Sequence, residues 1–459
     1  MEEPKKPGCS SSLVVSLLII TFPLVYFAFF QIDQLKAHFA NWPDIKPGSG
    51  NLQKDANNVK DPFQRLMRGE QREQLKKTGF VFLSEKHSDS YVSRKEVRFD
   101  TNSSTVYIHS NQQLKKYRFQ PYPLKDYKAK ILNLVKPIEI QHGDMNPPAC
   151  NFIHDDPAVI FSSGGFVGNI YHEINDVIIP LFITSRHFRS RVKFVVTDYH
   201  FWFIYKFRNV IDNLSNFEVI DASEATNGKV HCFPGAVVGL KSHGFLSLNK
   251  SDNPGGHSMS EFRDFLTSSY NFKIRDVSAL IMGSNKPNLL LLSRKGTETR
   301  TILNQDEVVK MMEELGFRVI VSTMKMMRNM YDFVHIVRSC SVMVGVHGAG
   351  LTNELFLPDG AVTIQVVPLG LEWAAEYFYG EPAKGMGLHY LEYKIEPQES
   401  SLLDLYGPDH PVITDPKSIE DQGYKNFRAI YMDKQNVKIN VERFRKTLVE
   451  AMSLLGQLN

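Results

Sequence analysis

This sequence lacks a strong charge of either sign. Its 53 Lys and Arg residues nearly balance its 50 Asp and Glu residues, which leaves a formal net charge of +3. A nucleic-acid-binding protein would usually concentrate basic residues on one face, so the composition argues against that class. Internal repeats and long low-complexity tracts are missing as well. With 459 residues, of which 42% are hydrophobic, the chain is long enough for two or three ordinary globular domains.

Long hydrophobic runs are also missing, with one exception near the N-terminus. Residues 13–30 read LVVSLLIITFPLVYFAFF, without a charged residue, close to the shortest length that spans a bilayer. A cleaved signal peptide would usually have a shorter apolar core followed by small residues, whereas Gln31-Ile32-Asp33-Gln34 follows here. We therefore favour an uncleaved signal anchor of a single-pass type II protein, with residues 1–12 as a cytosolic tail and residues 31–78 as a stem.

Cysteine is scarce, with four residues in the whole chain. In the predicted topology Cys9 would be cytosolic, and the other three would lie in a compartment where disulfides form. Cys340 falls between a predicted helix and a buried strand, so we expect a buried free thiol there. Cys150 and Cys232 are the disulfide candidates, although spacing alone does not fix a pairing.

Three Asn-x-Ser triplets begin at Asn102, Asn213 and Asn249. Such triplets also occur by chance. Behind a signal anchor they are candidate glycosylation sites on lumenal loops.

From residue 79 onward, short apolar strands alternate with helical patterns, which predicts parallel sheets covered by helices. The loop-forming segment Ser284-Asn285-Lys286-Pro287 predicts a boundary between an N-terminal lobe, residues 79–284, and a C-terminal lobe, residues 285–459. The second lobe has the order β-α-β-α-β-α-β, and Asn304 with Glu307 predicts a capping box for its first helix. In doubly wound sheets ligands bind beyond the carboxyl ends of the strands.

The stretch VMVGVHGAGLTNELFL, residues 342–357, has the pattern of a buried strand, a glycine loop and the start of a helix. Backbone N–H groups and the helix dipole at such a turn favour an anion, and His347 adds a side-chain donor. Arg294 follows the preceding parallel strand and would grip a diphosphate from the same edge of the sheet. The alternatives are an unliganded glycine turn and a surface arginine.

A second glycine loop, Ser162–Asn169, follows the strand Ala158–Phe161 and leads into a helix. His172 and Asp176 lie four residues apart and therefore share one face of that helix, at its loop end. An imidazole paired with a carboxylate is suited to general base catalysis. A solvated pair that merely supports the helix is the alternative.

Several blocks together resemble plant family 61 glycosyltransferases, in order and spacing, from about residue 80 to the C-terminus. They are FSSGGFVGNIYHEINDVIIPLF, LLLLSRKG, MVGVHGAGLTNELFLPDGAVTIQVVP, EPAKGMGLHYLEYKI and DKQNVKINVERFRKTL. The resemblance implies a Golgi membrane protein and inverting transfer from a UDP-pentose without a required metal or cofactor. It also implies a GT-B-like α/β fold, in which two Rossmann-type doubly wound lobes face each other across a cleft. The GT-A alternative usually relies on an Asp-x-Asp pair to hold a metal, and this sequence has none.

Carried over position by position, the resemblance assigns donor binding to the C-terminal lobe and acceptor binding to the N-terminal lobe. The implied donor-binding residues are Ser293, Arg294, His347, Gly348, Ala349, Gly350 and Asn353. The implied acceptor-side residues are Gly165 and Asn169, and the catalytic residues are His172 and Asp176. We hypothesise that Asp176 deprotonates the acceptor hydroxyl while His172 orients or shares the proton.

The implied reaction is β1,2-xylosyl transfer from UDP-xylose to xylan, a plant cell-wall polysaccharide, or to a xylo-oligosaccharide. α1,3-Arabinofuranosyl transfer from UDP-arabinofuranose is the alternative, because a ring-form difference cannot be inferred from motifs. An N-glycan core β1,2-xylosyltransferase, a non-catalytic Golgi complex subunit and a carbohydrate-binding module are less favoured. Leu369 departs from the family pattern, since many xylan-acting members have Trp at this position. This difference leaves the sugar and acceptor preference open.

Four aromatic residues lie close together after the last predicted strand: Trp373, Tyr377, Phe378 and Tyr379. They are suited to stacking on sugar rings. Packing against the sheet is an equally good interpretation of this spacing.

Overall fold

The computed structural model describes residues 61–85, 87–122, 134–223, 228–251, 253, 255–282, 286–297 and 299–457. The predicted tail, the anchor at 13–30 and the stem up to residue 60 lie outside these ranges, as do Cys9 and the proposed boundary at 284 and 285. Within the described ranges no helix combines the length and the apolar character needed to cross a membrane.

The C-terminal half is built on one parallel sheet. Among the described residues, twelve strands, β1–β12, precede this sheet in the chain. Its own strands are β13 (Asn288–Leu292), β14 (Arg318–Val321), β15 (Val342–Val346), β16 (Val362–Val367) and β17 (His389–Lys394). The spatial order is β14-β13-β15-β16-β17, and every neighbouring pair is parallel. All residues of β15 and β16 are buried, as expected for strands covered by helices on both faces. The parallel sheet predicted for this half is confirmed.

Two mixed sheets form the N-terminal half. Their strands are β1 (Phe80–Ser84), β2 (Asp89–Ser93), β3 (Val97–Asp100), β4 (Thr105–His109), β5 (Lys115–Phe119), β6 (Ile138–Gly143), β7 (Phe152–Ile153), β8 (Ala158–Phe161), β9 (Lys193–Val196), β10 (Ile220–Asp221), β11 (Val230–Phe233) and β12 (Ala236–Val238). The orders are β1-β2-β12-β8-β9-β10 and β5-β6-β4-β3-β11-β7.

The prediction of a second doubly wound lobe is only partly correct. Strands β12, β8, β9 and β10 are parallel, but β1 and β2 form an antiparallel edge. A short connection between β1 and β2 permits only antiparallel pairing, because a parallel pair needs a long crossover. The second sheet of this half mixes parallel and antiparallel pairs.

Helices surround these sheets. The α-helices are Gly69–Thr78, Ile170–His172, Ile179–Ser185, Phe201–Lys206, Arg208–Leu214, Met259–Ser269, Ser278–Ile281, Gln305–Glu314, Met324–Arg328, Met330–Arg338, Glu372–Ala375, Glu381–Gly385, Leu402–Tyr406, Pro411–Thr414, Pro416–Asp421, Tyr424–Phe427 and Val441–Leu454. The 3-10 helices are Pro62–Leu66, Arg186–Phe188, Ala349–Phe356 and Pro397–Glu399, and the π-helical segments are Glu173–Ile178, Glu376–Gly380 and Arg428–Met432.

One buried hydrophobic cluster extends through both halves. Residues 62–78, which the sequence analysis placed in the stem, belong to it through Leu66, Met67 and Leu75. Helix Met259–Ser269 of the N-terminal half contacts the C-terminal half through Arg263. This side chain donates a hydrogen bond to the carbonyl oxygen of Leu357 at 2.5 Å and forms a salt bridge with Asp359 at 2.8 Å.

The predicted disulfide pair is confirmed. Cys150 and Cys232 are bonded, with 5.8 Å between their Cα atoms, and this bond ties the segment before β7 to β11. Cys340 is a buried free thiol as predicted, and burial raises its pKa to about 12.

The three candidate glycosylation sites differ in their surroundings. Asn102 and Asn249 are exposed. Asn213 is half-buried in a helix, and its Nδ2 donates to Ser269 Oγ at 2.9 Å, which disfavours a glycan at that position.

Candidate active site

His172 and Asp176 form a hydrogen-bonded pair beyond the carboxyl end of β8. The short helix Ile170–His172 begins after Asn169, whose Oδ1 accepts from Tyr171 N at 3.0 Å, and it continues into the π-helical segment Glu173–Ile178. His172 Nδ1 donates to Asp176 Oδ2 at 2.8 Å. Because Nδ1 carries the proton in this arrangement, Nε2 of a neutral His172 is the proton acceptor. Single π-helical turns inside helices often occur at functional sites.

The Asp176 carboxylate is fully enclosed, with 0% of its surface exposed. Its Oδ2 also accepts from the Tyr122 hydroxyl at 2.7 Å, and its Oδ1 accepts from Asn175 Nδ2 at 2.8 Å. The His172 side chain, by contrast, is 19% exposed. The enclosure of Asp176 favours His172 as the member of the pair that contacts a substrate, and the catalytic role of each residue stays a prediction.

Neighbouring residues hold this carboxylate from two directions. Gly164 has φ +85°, and a Cβ there would lie 2.0 Å from the Tyr122 ring, so glycine is required for Tyr122 to reach Asp176. On the other side, Asn175 Oδ1 accepts from Leu246 N at 2.8 Å. The site thus depends on segments distant in the sequence.

On the opposite half, the glycine loop after β15 lies beneath two guanidinium groups. Gly348 has φ +152° and precedes the 3-10 helix Ala349–Phe356. A Cβ at Gly348 would lie 2.9 Å from Arg300 Nη1 and 3.2 Å from Arg294 Nη1. The absence of a side chain here lets both arginines approach the backbone of the loop.

Arg300 is a site residue that the sequence analysis missed. Its Nη1 donates to the carbonyl oxygen of His347 at 3.0 Å, while its Nε is buried and has no hydrogen-bond partner among the described residues. It also has φ +55°, a strained backbone of the kind that clusters at functional sites. The loop SRKGTETR contains several polar residues, and nothing in its spacing singles out the last arginine.

The two arginines place concentrated positive charge at the carboxyl edge of the parallel sheet. Arg294 Nε donates to the carbonyl oxygen of Thr299 at 3.0 Å, and among the described residues neither arginine forms an ion pair with a carboxylate. Burial and the neighbouring Arg300 lower the pKa of Arg294 to about 10, so Arg294 still carries its charge at neutral pH. Burial also lowers the pKa of Arg300, but an arginine side chain keeps its proton in proteins. Such a pair is suited to bind a diphosphate.

His347 is buried and neutral. Burial and the nearby arginines lower its pKa to about 3, so it adds no positive charge at physiological pH. The Gln365 side-chain amide hydrogen-bonds to His347 Nδ1 at 2.6 Å and to the Tyr390 hydroxyl at 2.8 Å, and that hydroxyl also lies 3.0 Å from Glu392 Oε1. These contacts fix the orientation of the neutral His347 ring.

The two halves of the site meet through aromatic rings. Tyr379, on the π-helical segment Glu376–Gly380, contacts the His347 ring edge-on at 5.6 Å between centroids and the Tyr171 ring at 6.1 Å. Tyr171 in turn contacts the His172 ring at 5.4 Å. The predicted donor and acceptor groups are thus linked through these two tyrosines.

The remaining predicted residues occupy supporting positions. Ser293 Oγ donates to Gln305 Oε1 at 2.6 Å, and Asn353 is buried with its Nδ2 donating to the carbonyl oxygen of Gly350 at 2.8 Å. Ala349, Gly350 and Gly165 are half-buried, and Asn169 is exposed. Their roles, like those of the other predicted site residues, stay predictions.

Metal binding has no obvious ligand set in this region. Within the described part of the chain, no three or more His, Cys, Asp or Glu side chains are grouped so as to hold a metal ion. Reaction without a required metal stays a prediction.

Comparison with known proteins places the same region in a family. A family model described as Glycosyltransferase 61 matches residues 153–364, which contain both candidate catalytic residues and both arginines. A xylan glycosyltransferase of Arabidopsis thaliana is 36% identical, over 79% of this chain and 77% of that protein. Two proteins of Oryza sativa subsp. japonica are also similar. An alpha-1,3-arabinosyltransferase is 38% identical over 79% of this chain, which spans only 63% of that protein, and a beta-1,2-xylosyltransferase is 37% identical over 74% of this chain and 72% of that protein.

Proposed function

This chain belongs to glycosyltransferase family 61, and on that premise we propose that it transfers a pentose from a UDP-sugar to the xylan backbone with inversion. The preferred reaction is β1,2-xylosyl transfer from UDP-xylose. Relatives named for xylan, for β1,2-xylosyl transfer and for α1,3-arabinosyl transfer support the acceptor and the sugar class. UDP-arabinofuranose is the second candidate donor, because the arabinosyltransferases are as similar to this chain as the xylosyltransferases are.

The observation that carries this proposal is the pair Arg294 and Arg300 over Gly348. A UDP leaving group gains negative charge as the bond between its β-phosphate oxygen and the anomeric carbon breaks. Two fixed guanidinium groups and the backbone N–H groups of the loop stabilise that charge, and they are already oriented before the reaction. His347 would contribute a neutral imidazole from the same side.

The proton moves on the other side of the site. The acceptor hydroxyl gives its proton to His172 Nε2 while its oxygen forms the new bond to the anomeric carbon from the face opposite UDP. Asp176 holds the imidazole in the required tautomer and stabilises the imidazolium that forms, as a buried carboxylate does in other histidine-dependent sites. Asp176 is therefore a positioning residue and His172 the catalytic base.

Leu369, the place at which many xylan-acting members are expected to have Trp, is buried in this structure. Its side chain is 7% exposed, and its backbone N–H and carbonyl oxygen are both bonded to the Gln435 side chain, at 2.9 and 3.1 Å. We expect its effect on sugar preference to be indirect.

A donor and acceptor screen tests the proposed reaction. Purified protein lacking residues 1–60 is incubated with UDP-xylose, UDP-arabinofuranose and other UDP-sugars, each with xylohexaose, and the product linkage is determined by NMR. The expected result is a β1,2-linked xylosyl branch, formed equally well with a metal chelator present. An α1,3-linked arabinofuranosyl product would establish the second candidate, whereas transfer of a hexose, or to no xylo-oligosaccharide, would contradict the proposal.

The proposed location follows from residues 13–30. We propose that they anchor the protein in the Golgi membrane with the catalytic part in the lumen. Digestion of exposed protein in sealed Golgi vesicles tests this: the part after residue 60 should be protected until detergent is added. Digestion without detergent would contradict a lumenal domain.

A further inference from the structure

Two large aromatic side chains lie exposed beside the candidate active site. Trp373 is 47% exposed and Tyr377 is 51% exposed, and they lie four residues apart where helix Glu372–Ala375 continues into the π-helical segment Glu376–Gly380. Residues at this spacing share one face of a helix. Burial in the core, one of the two interpretations of this sequence cluster, therefore holds for Tyr379, which is 3% exposed, but not for these two.

Half-buried rings connect this exposed pair to the reacting groups. Phe378 lies 6.2 Å from Trp373 and 5.3 Å from Tyr377 between ring centroids, and 5.6 Å from Tyr171, the neighbour of the candidate base. From the N-terminal half, Phe245 contacts Tyr377 at 4.9 Å. A series of ring contacts thus joins His172, through the buried Tyr171 ring, to the exposed pair, with contributions from both halves of the protein.

We propose that Trp373, Tyr377 and Phe245 form an acceptor subsite on which a neutral chain of β-linked pentopyranose units stacks. This inference rests on the proposed function, since it places the acceptor of that reaction. Xylopyranose has no exocyclic hydroxymethyl group, so its axial C–H bonds present an unobstructed apolar face to an aromatic ring. Trp and Tyr combine such a ring surface with a polar group that remains hydrated.

The position of the surface also favours the acceptor over the donor. The nucleotide diphosphate is expected against Arg294 and Arg300, whereas ring contacts through Phe378 join the exposed pair to Tyr171, the neighbour of the candidate base. Exposed aromatic residues at a binding site commonly dominate the affinity while their neighbours contribute little. Sugar units flanking the reacting one would therefore gain most from Trp373 and Tyr377.

Direct binding measurements test the subsite without requiring turnover. The affinities of xylohexaose, xylobiose and UDP are measured by calorimetry for wild type, W373A, Y377A and the control F82A. Phe82 is a comparable control because it is 44% exposed but lies on edge strand β1. Removal of one stacked ring is expected to weaken xylohexaose binding about tenfold, with a smaller effect on xylobiose and none on UDP. F82A should bind all three ligands like wild type.

The outcomes separate this inference from the proposed function. Unchanged xylohexaose affinity in both W373A and Y377A, or a wild type that binds no xylo-oligosaccharide, would overturn the subsite. Weakened UDP affinity in W373A or Y377A would assign the surface to the nucleobase instead and likewise overturn it. Weakened xylohexaose binding in a protein that transfers no pentose would leave the subsite standing and reject the reaction.

Discussion

The donor side and the base side of the candidate site are assembled from contacts of different range. On the donor side, Arg294 follows β13 and the loop at Gly348 follows its parallel neighbour β15, so sheet topology alone brings them together. On the base side, Asp176 depends on Tyr122, which lies 54 positions earlier, and on Asn175, which Leu246 holds from 71 positions later. A short motif therefore suffices to locate the candidate phosphate site, whereas the surroundings of the candidate base depend on the tertiary structure.

The largest expected effect is on the base side. His172→Ala removes the proton acceptor and should lower kcat about 10³-fold, within the range for a general base, without changing the affinity for UDP. Steady-state kinetics and UDP calorimetry measure the two quantities. Added imidazole should partly restore the activity of His172→Ala, because it replaces the missing group.

Asp176→Asn distinguishes the two members of the pair. It should also lower kcat, by loss of the tautomer control that a carboxylate provides, but added imidazole should not restore activity because His172 is still present. If His172→Ala turned over like wild type, the assignment of the base would be wrong.

On the donor side the expected effect is about tenfold smaller. Arg300→Ala removes one of the two charges above Gly348 and should lower kcat/KM for the UDP-sugar about 10²-fold, as for other groups that stabilise developing charge. Arg300→Lys should fall between wild type and Arg300→Ala, since an ammonium keeps the charge but cannot form the bidentate contact.

Arg318→Ala is the matched control, because Arg318 is exposed at the start of β14 in the same sheet. It should leave kcat/KM unchanged. Equal rates for Arg300→Ala and wild type would remove Arg300 from the donor site and leave Arg294 as the only arginine predicted there.

The difference in contact range also explains how much the sequence predicted. The order of buried strands and glycine loops predicted the parallel sheet, the donor edge and the place of Arg294. It did not identify Arg300, because the strained turn that carries this residue has no sequence signature. It predicted that His172 and Asp176 share a helix face but not the enclosure of Asp176, since that depends on the Tyr122 ring packed against Gly164.

Local patterns failed where a tertiary contact competed with them. Asn304 and Glu307 predicted a capping box, but Asn304 Oδ1 accepts from Ile439 N at 2.9 Å instead, and no side-chain cap forms there. Capping boxes occur instead at Ser258 with Glu261 and at Glu396 with Glu399. The N-terminal lobe was predicted as a doubly wound unit because alternating strands and helices do not reveal an antiparallel edge.

Acid should destabilise the protein through histidines in both halves. His187 and His347 are buried, and burial and neighbouring positive charges lower the pKa of each to about 3. Between pH 6.5 and pH 3 the unfolded chain binds protons at these residues and the folded protein does not, so stability falls as the pH falls. At pH 5 the loss is roughly 2 kcal/mol per histidine.

Urea denaturation between pH 5 and pH 7.5 measures this loss. His347→Gln should reduce the dependence of the unfolding free energy on pH by the contribution of one histidine and leave the contribution of His187 unchanged. The comparison therefore assigns part of the pH dependence to the C-terminal half and part to the N-terminal half. His389→Gln is the control, because His389 is exposed. A His347→Gln variant with the full wild-type slope would show that His347 is not a buried neutral group.

The smallest effect tests whether long-range contacts on the base side affect catalysis or only folding. Tyr122→Phe keeps the ring packed against Gly164 but removes one of the two donors to Asp176 Oδ2. A single hydrogen bond to a charged group contributes about 1.5 kcal/mol or somewhat more, so kcat should fall roughly tenfold while the KM for the UDP-sugar stays constant. Tyr107→Phe, on β4 of the other N-terminal sheet, should change neither. If Tyr122 has a purely structural role, Tyr122→Phe should lower the unfolding midpoint without changing kcat. That result would mean that Asp176 orients His172 without the hydrogen bond from Tyr122, a residue distant in the sequence.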